Sequence, residues 1–143
     1  MTAITIAFHH ERPIDPRAVR ELYTHVGWWP QRTPEKIAQV LQDALAVGAW
    51  DGDQLVGFAR AVSDGHFHAY IDDVAVRPDH QRKGLGSLLL TKLLDGLQEV
   101  ETVTLFCQQS LVPFYEAHGF QAFPSQMVLH RAQPAPRASA SDS

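Results

Sequence analysis

The spacing of apolar residues along the chain alternates between two periods, and these periods divide it into predicted strands and helices. A step of two with β-branched side chains is typical of strands, whereas steps of three and four are typical of one helix face. Clusters of glycine, proline and aspartate separate the segments. The pattern predicts the order β, α, α, β, β, β, α, β, α, β, and hence a domain that combines helices with a sheet containing three antiparallel strands in series.

Six segments are predicted as strands. Asp51 and Gly52 favour a tight hairpin turn between the second and third strands, and a polar turn at 63–65 precedes the fourth. Cys107 closes the fifth strand, where we expect a small buried side chain rather than a nucleophile. The predicted strands are 3–8, 47–50, 54–62, 67–76, 102–107 and 120–130.

Four segments are predicted as helices. Asp15 and Thr33 occupy the N-cap positions of the first two, and each is followed by a proline, which suits the first helical position. Gly27 ends the first helix, and leucines at helical spacing mark the third. The predicted helices are 16–26, 34–45, 84–99 and 111–118.

Composition supports one globular domain with a polar extension. The chain has 143 residues, of which 45% are hydrophobic and 20% are charged, and this size and balance are typical of a single core. Residues 132–143 contain only Ala, Gln, Pro, Arg, Ser and Asp, which cannot bury enough apolar area to offset the entropy of ordering them. We therefore predict one domain over 1–131 and a flexible tail over 132–143.

Charge and hydropathy argue against several classes of partner. Twelve Lys and Arg against sixteen Asp and Glu give a net charge of −4 without a long basic run, whereas nucleic-acid surfaces are normally basic. No window approaches the ~20 apolar residues that span a bilayer, and a single cysteine allows no internal disulfide. His66 and His68 lack a third ligand for a metal ion. We predict a cytoplasmic protein that contacts neither nucleic acid nor membrane and holds no metal.

The segment between the fourth strand and the third helix has the features of an anion site. Residues 70–76 run through a loop that contains Gly84 and Gly86 directly into the leucine-rich helix. Unpaired main-chain N–H groups at a helix start, together with Arg82 and Lys83, would hold a phosphate or diphosphate. The alternative is a tight turn with exposed basic side chains. The glycine spacing excludes both the Rossmann and the Walker phosphate loops.

Two motifs in this order resemble those of the GNAT acetyltransferases. The first is VAVRP at 74–78 followed by QxxGxG at 81–86, and the second is FYEAHGF at 114–120. The resemblance extends over nearly the whole chain. It implies an α/β (α+β) fold with a mixed, mostly antiparallel sheet of six to seven strands and about four helices, in which the fourth and fifth strands splay apart to admit acetyl-CoA.

The resemblance also assigns the residues that bind the cofactor. The pantetheine arm would bond to the backbone near Val74 and Val76, much as an added strand would. Family members often pair through late strands, so a homodimer is one expectation. The implied cofactor-binding set is Val74, Ala75, Val76, Gln81, Arg82, Lys83, Gly84, Leu85, Gly86, Ser87, Phe114 and Tyr115.

The implied chemistry is direct attack on the acetyl thioester by a primary amine of a small molecule or a protein. Tyr115 matches the family position that protonates the departing thiolate; alternatively, its hydroxyl makes one structural bond. For the base, Asp72 and Asp73 are neighbours on a strand, where successive side chains point to opposite faces. Asp73 is preferred unless a bulge reverses the choice. The alternatives are an ordered water as the base, with the carboxylates capping turns or pairing with Arg60.

The loop between the first two helices carries Trp28 and Trp29. In the family that it resembles, this loop usually borders the acceptor pocket, so we expect one tryptophan to line the pocket or else to pack in the core. The whole pattern predicts an acetyl-CoA-dependent N-acetyltransferase. The alternative is a non-catalytic acyl-CoA-binding module of the same fold.

Overall fold

The computed structural model describes residues 3–131 and residue 133. The chain forms two compact units, which divide after Cys107. The predicted flexible tail over 132–143 lies outside the described residues except for residue 133, so it stays a prediction. Within the described part of the chain, every helix is too short or too polar to cross a bilayer.

A five-stranded sheet forms the centre of the first unit. Its strands lie side by side in chain order, with antiparallel pairs from β1 to β4 and a parallel pair between β4 and β5. Gly52 lies in the predicted turn between β2 and β3 with a φ of 62°, which glycine adopts without strain. The strands are β1 Ile4–Phe8, β2 Leu45–Asp51, β3 Gln54–Ser63, β4 His68–Val76 and β5 Thr102–Leu105.

Three α-helices accompany this sheet, and their ends follow the predicted capping signals. The Asp15 carboxylate accepts a hydrogen bond from Arg17 N at 2.9 Å, and the Thr33 hydroxyl accepts one from Lys36 N at 3.2 Å. Gly27 ends the first helix with a φ of 78°. The helices are α1 Pro16–Val26, α2 Pro34–Asp43 and α3 Leu85–Asp95.

The helices cover opposite faces of the sheet. Phe58 of β3 belongs to a core that includes Leu22 of α1 and Ile37 of α2. Its neighbour Gly57 faces α3 instead, since a Cβ built there would lie 2.8 Å from Leu89 Cδ1. Because successive strand residues point to opposite faces, α1 and α2 lie on one face of the sheet and α3 on the other.

The described part of the second unit contains one short α-helix, α4 Val112–Glu116, preceded by a 3₁₀ turn at Gln109–Leu111. Gly119 follows the helix with a φ of 91°, in agreement with the predicted helix end. The helix α4 lies within the predicted helix 111–118, and the 3₁₀ turn begins two residues before it.

The predicted closing strand at 120–130 is wrong, because the described residues of this segment form no strand. Pro124 interrupts it, and Gln126 N donates to Phe123 O at 3.0 Å to close a turn around this proline. Proline has no N–H to give to a ladder and is disfavoured inside a sheet. The described part of the chain therefore has five strands rather than six to seven, in a mixed and mostly antiparallel sheet as predicted.

Candidate active site

Strands β4 and β5 separate part-way along the sheet. Their parallel ladder ends at the pair Ile71 and Leu105, whereas β4 continues to Val76 alongside β3. Arg77 N donates to Val56 O of β3 at 2.8 Å. Since main-chain groups alternate in direction along a strand, the N–H and C=O groups of Val76 point to the other edge, where β5 has ended.

The open edge of β4 is thus built from the residues of the first motif. Val74 and Val76 are half-buried and Ala75 is buried. The Gln81 carboxamide donates to Val76 O at 2.9 Å, and this bond ties the following loop to the same edge. An extended ligand could add to this edge as a further strand would, through the main-chain groups of Val74 and Val76.

The loop that follows β4 leads into α3 with an unusual backbone. Arg82 and Gly84 have φ values of 65° and 80°, so two alternate residues lie in the left-handed region, and both are exposed. Gly84 is the N-cap of α3 and offers no capping side chain. The N–H groups of Leu85 and Gly86 lie in the first turn, where α-helices have no internal acceptor for them. This backbone is of the kind that holds anions, and Lys83 adds a second exposed cation.

His80 anchors the start of this loop. Its Nε2 lies 3.0 Å from the Asp51 carboxylate at the end of β2, and its Nδ1 lies 2.8 Å from Asp79. These hydrogen bonds, with Asp51 first, raise the pKa of His80 above its ordinary value. The imidazole therefore links the loop to the hairpin end of the sheet.

A β-bulge lies on the strand where the base was expected. Asp73 is opposite Arg60 in the ladder, whereas the next pair joins Ala61 to Ile71, so Asp72 is the extra residue. The Arg60 guanidinium binds both carboxylates, through Nε to Asp73 Oδ2 at 2.9 Å and through Nη2 to Asp72. Neighbouring strand residues would normally face opposite ways, so the bulge is what brings both carboxylates to one cation.

Asp73 is the buried centre of this cluster, with 1% of its surface exposed. Its Oδ2 also accepts hydrogen bonds from the Tyr23 hydroxyl at 2.8 Å and from Arg32 Nη1 at 3.1 Å. Its Oδ1 is buried and has no hydrogen-bond partner in the described part of the chain. Burial first, and the nearby Asp73 charge second, raise the pKa of Tyr23 well above its ordinary value, so this phenol stays a donor.

Arg32 is held by the loop between α1 and α2. Its guanidinium carbon lies 4.1 Å from the centre of the Trp29 ring and 5.5 Å from that of Tyr23. Arg20 Nη1 donates to the Arg32 carbonyl at 2.9 Å. Trp29 therefore contributes to the cluster through Arg32. Trp28 and Trp29 are 39% and 38% exposed, so neither packs in the core.

A cavity of about 270 Å³ opens beside this cluster on the face of the sheet under α1 and α2. One part of its wall is polar and basic, and the other part is apolar. The lining residues are Tyr23, Arg32, Lys36, Ile37, Val40, Leu41, Phe58 and Arg60.

Comparison with known proteins identifies the family. The model of the Acetyltransferase (GNAT) family matches residues 8–120. The chain belongs to this family. The GNAT family consists of acyltransferases, and the predicted GNAT resemblance and enzyme class are confirmed.

Individual relatives of this GNAT chain also have the names of acetyltransferases. An uncharacterized N-acetyltransferase (ycf52-like) of Prochlorococcus marinus is 33% identical over 127 residues, which cover 84% of this chain and 70% of that protein. A histone acetyltransferase (TAP1) of Glycine max is 35% identical over 133 residues, covering 83% of this chain but 57% of its own length. The solved structure of a GNAT-family acetyltransferase from Streptococcus pneumoniae has a TM-score of 0.76 and 30% identity, and the match covers 92% of this chain and 100% of that one.

The second GNAT motif lies in the second unit. Tyr115 and Phe114 of α4 are half-buried, and their rings meet edge-on with centroids 4.9 Å apart. The Tyr115 ring also packs edge-on against Phe120 at 6.0 Å. The roles predicted for Phe114 and Tyr115 stay predictions.

Several residues of this site were not predicted from the sequence of the GNAT chain. The sequence motifs assign no role to Tyr23, Arg32 or Lys36. The partners Tyr23 and Asp73 are 50 residues apart, and Arg32 is 41 residues from Asp73, so no local motif joins them. Arg60 is predicted only as an alternative partner for the carboxylates, and that pairing is present.

Two expectations outside the site need correction or refinement. Cys107 is exposed and follows the end of β5 at Leu105, so it is not the small core residue that was expected. His66 lies in the turn before β4, whereas His68 begins the strand, and both are exposed. His68 Nε2 lies 2.9 Å from the Thr104 hydroxyl of β5.

Proposed function

We propose that this GNAT chain binds acetyl-CoA along the open edge of β4 and transfers its acetyl group to a primary amine. The observation that carries the proposal is the early end of the β4 and β5 ladder next to the glycine loop. It leaves the main chain of Val74 and Val76 on an open edge of β4, directly before the loop at 81–87. The open edge of β4 suits an amide-bearing arm, and the loop suits a diphosphate at one end of that arm.

The residues of the loop suit the diphosphate. The first-turn N–H groups of α3 and the left-handed backbone at Gly84 would donate to phosphate oxygens, while Arg82 and Lys83 supply two exposed cations. Gln81 has already used its carboxamide on Val76 O, so its part is to hold the loop to the strand. The proposed cofactor set otherwise stays as the resemblance implied.

The chemistry needs a donor for the thioester carbonyl, a group that takes a proton from the amine and one that gives a proton to the thiolate. Acetyl-CoA supplies the activated acetyl group. We assign the Val74 N–H to the carbonyl oxygen and Asp73 Oδ1 to the amine proton. The resemblance implies the Tyr115 hydroxyl as the donor of the proton that the sulfur gains. Asp73 Oδ1 is preferred to Asp72 because it is the carboxylate oxygen of the cluster that is buried without a partner in the described residues.

Two measurements on the full chain test this function. Calorimetry with coenzyme A should give saturable heat, and thiol release from acetyl-CoA should depend on an added amine from a panel of primary amines. Tyr115→Phe should lower turnover while leaving coenzyme A affinity unchanged. Thr5→Val, which removes an exposed side-chain hydroxyl from β1, away from β4, is the control and should leave turnover unchanged.

The outcomes separate the proposed function from its alternative. No heat with coenzyme A would refute the cofactor assignment. Binding without turnover across the whole panel would favour the non-catalytic acyl-CoA-binding module. Asp72→Asn and Asp73→Asn test the base: full activity in both would remove these carboxylates from proton transfer and leave that role to water.

A further inference from the structure

The cavity beside β4 carries three cations and no carboxylate in its wall. Arg32, Lys36 and Arg60 line it together with the Tyr23 hydroxyl, which the raised pKa of this residue keeps protonated. Asp73 is behind this wall, where its Oδ2 accepts from Tyr23, Arg32 and Arg60. A ligand in the cavity would meet donors and positive charge.

The positive charge of the cavity exceeds what the cluster neutralises. Asp72 and Asp73 are shared between Arg32 and Arg60. Lys36 lines the same cavity, and no carboxylate of the described residues lies within ion-pair distance of its Nζ. Three cations against two carboxylates leave one positive charge for a ligand to balance, and guanidinium groups bind carboxylates especially well.

The remainder of the wall is apolar and comes mostly from one face of α2. Ile37, Val40 and Leu41 follow the helical spacing of three and four, and Phe58 of β3 completes the surface. Val40 is 39% exposed although it is apolar, whereas Ile37 and Leu41 are buried. This wall would cover a small aliphatic or aromatic group.

The cavity is adjacent to the part of β4 where we place the thioester. Arg60 is opposite Asp73 in the ladder, and Val74 is the next residue along the strand, a step of about 3.3 Å. A carboxylate bound between Lys36 and Arg60 would therefore leave an amine on the neighbouring carbon near Asp73 and Val74. The volume of about 270 Å³ lies just below the ~300–1,000 Å³ of typical ligand pockets, which suits a molecule of amino-acid size.

We propose that the acceptor is a small amine that also carries a carboxylate and an apolar group, as a free amino acid with an aliphatic or aromatic side chain does. This inference rests on the proposed function and names its substrate class. In the transfer, the amine nitrogen bonds to the acetyl carbonyl carbon and the carbon–sulfur bond breaks. The proton that the nitrogen loses balances the proton that the sulfur gains.

The binding test uses product analogues that differ only at the carboxylate. Calorimetry on the full chain saturated with coenzyme A compares N-acetyl-L-leucine with N-acetyl-L-leucinamide, neither of which has a charged amine. The acid should bind at least about tenfold more tightly, because a charge-assisted bond is lost in the amide. Equal or tighter binding of the amide would overturn the proposal.

A matched pair of lysine variants locates the effect. Lys36→Gln should reduce the preference for the acid several-fold. Lys92→Gln, in which the lost cation lies 3.7 Å from Glu11 and outside the cavity, should keep it. Lys36 is exposed, so its replacement is not expected to impair folding. An unchanged preference in Lys36→Gln would place the carboxylate elsewhere and contradict the assignment to this cavity.

A turnover experiment distinguishes failure of this inference from failure of the proposed function. Thiol release is compared for L-leucine, L-leucinamide and 3-methylbutylamine, and L-leucine should have the highest kcat/KM. If the two amines without a carboxylate are better acceptors, the acetyltransferase function stands and the substrate class is wrong. If coenzyme A does not bind at all, the proposed function itself fails.

Discussion

The buried ion-pair cluster makes Arg60 a sensitive position for stability. Its Nε lies 2.9 Å from Asp73 Oδ2, its Nη2 binds Asp72, and its side chain is 11% exposed. Burial alone would lower the pKa of Arg60, but the charges of Asp73 and Asp72 outweigh it and raise this pKa. We predict that Arg60→Met, which keeps much of the length and removes the charge, will destabilise the fold strongly.

The expected loss of stability depends on the partners that Asp73 keeps in the variant. Removal of one partner from a buried ion pair costs about 3–5 kcal/mol, because the other charge is left buried without compensation. Asp73 keeps Arg32 at 3.1 Å and the Tyr23 hydroxyl at 2.8 Å. The loss should therefore lie at the low end, about 3 kcal/mol, which is a large part of the ~5–15 kcal/mol that stabilises a typical domain.

Urea unfolding of the full chain measures this loss. The double variant Arg60→Met with Asp73→Asn should recover a substantial part of it, because the unpaired charge has been removed as well. Arg77→Met is the matched control: its Nε lies 3.1 Å from Asp79, which is 61% exposed, so its midpoint should change little. A loss below about 1 kcal/mol, or costs that simply add in the double variant, would refute the reasoning.

Two further predictions concern the loop. Gly84→Val should weaken coenzyme A binding by at least about tenfold in calorimetry, because Gly84 has a φ of 80° that a β-branched residue tolerates poorly. Gly52→Val is the control, since Gly52 has a similar φ of 62° but lies at the distant hairpin turn. This control should leave the affinity for coenzyme A unchanged. His80→Gln should flatten the pH dependence of the urea midpoint. Hydrogen bonds to Asp51 and Asp79 raise the pKa of His80, so its contribution is complete below pH 6.5 and is lost as the pH rises through the raised value. An equally steep decline in the variant, measured from about pH 5.5 to about pH 8.5, would contradict this role.

Elements with local signals were predicted well from the sequence. The caps at Asp15 and Thr33 and the turn at Gly52 depend on residues within a few positions of each other, and all three lie where predicted. Element ends were less predictable where tertiary pairing decides them. The predicted second helix extends to Leu45, yet α2 stops at Asp43, because Leu45 already pairs with Ala61 in the sheet.

The residues of the candidate site also differ in how well local sequence signals predict them. The glycine loop can be predicted because backbone conformation restricts which residues fit, and Gly84 indeed has a positive φ. The bulge at Asp72 is only an open alternative in the sequence, because it depends on register with a strand twelve residues away. The two adjacent carboxylates were the available signal, since an acidic pair inside a strand needs nearby cations. The sequence alone did not identify Arg32 as one of them.

The proposed cofactor region and the cavity differ in how freely their residues can vary. The proposed cofactor region depends mainly on main-chain groups of β4 and the loop, which a side-chain substitution alters only when it changes the backbone. The cavity depends on side chains from α1, α2 and β3, including Lys36 and Val40, which are largely exposed and contribute little to the core. Substitutions on the cavity face of α2 can thus change which amine is bound while the strand that holds the thioester keeps its geometry. Arg60 is the exception, because the same guanidinium lines the cavity and neutralises Asp73, so a change of acceptor charge at that position would be coupled to the stability of the fold.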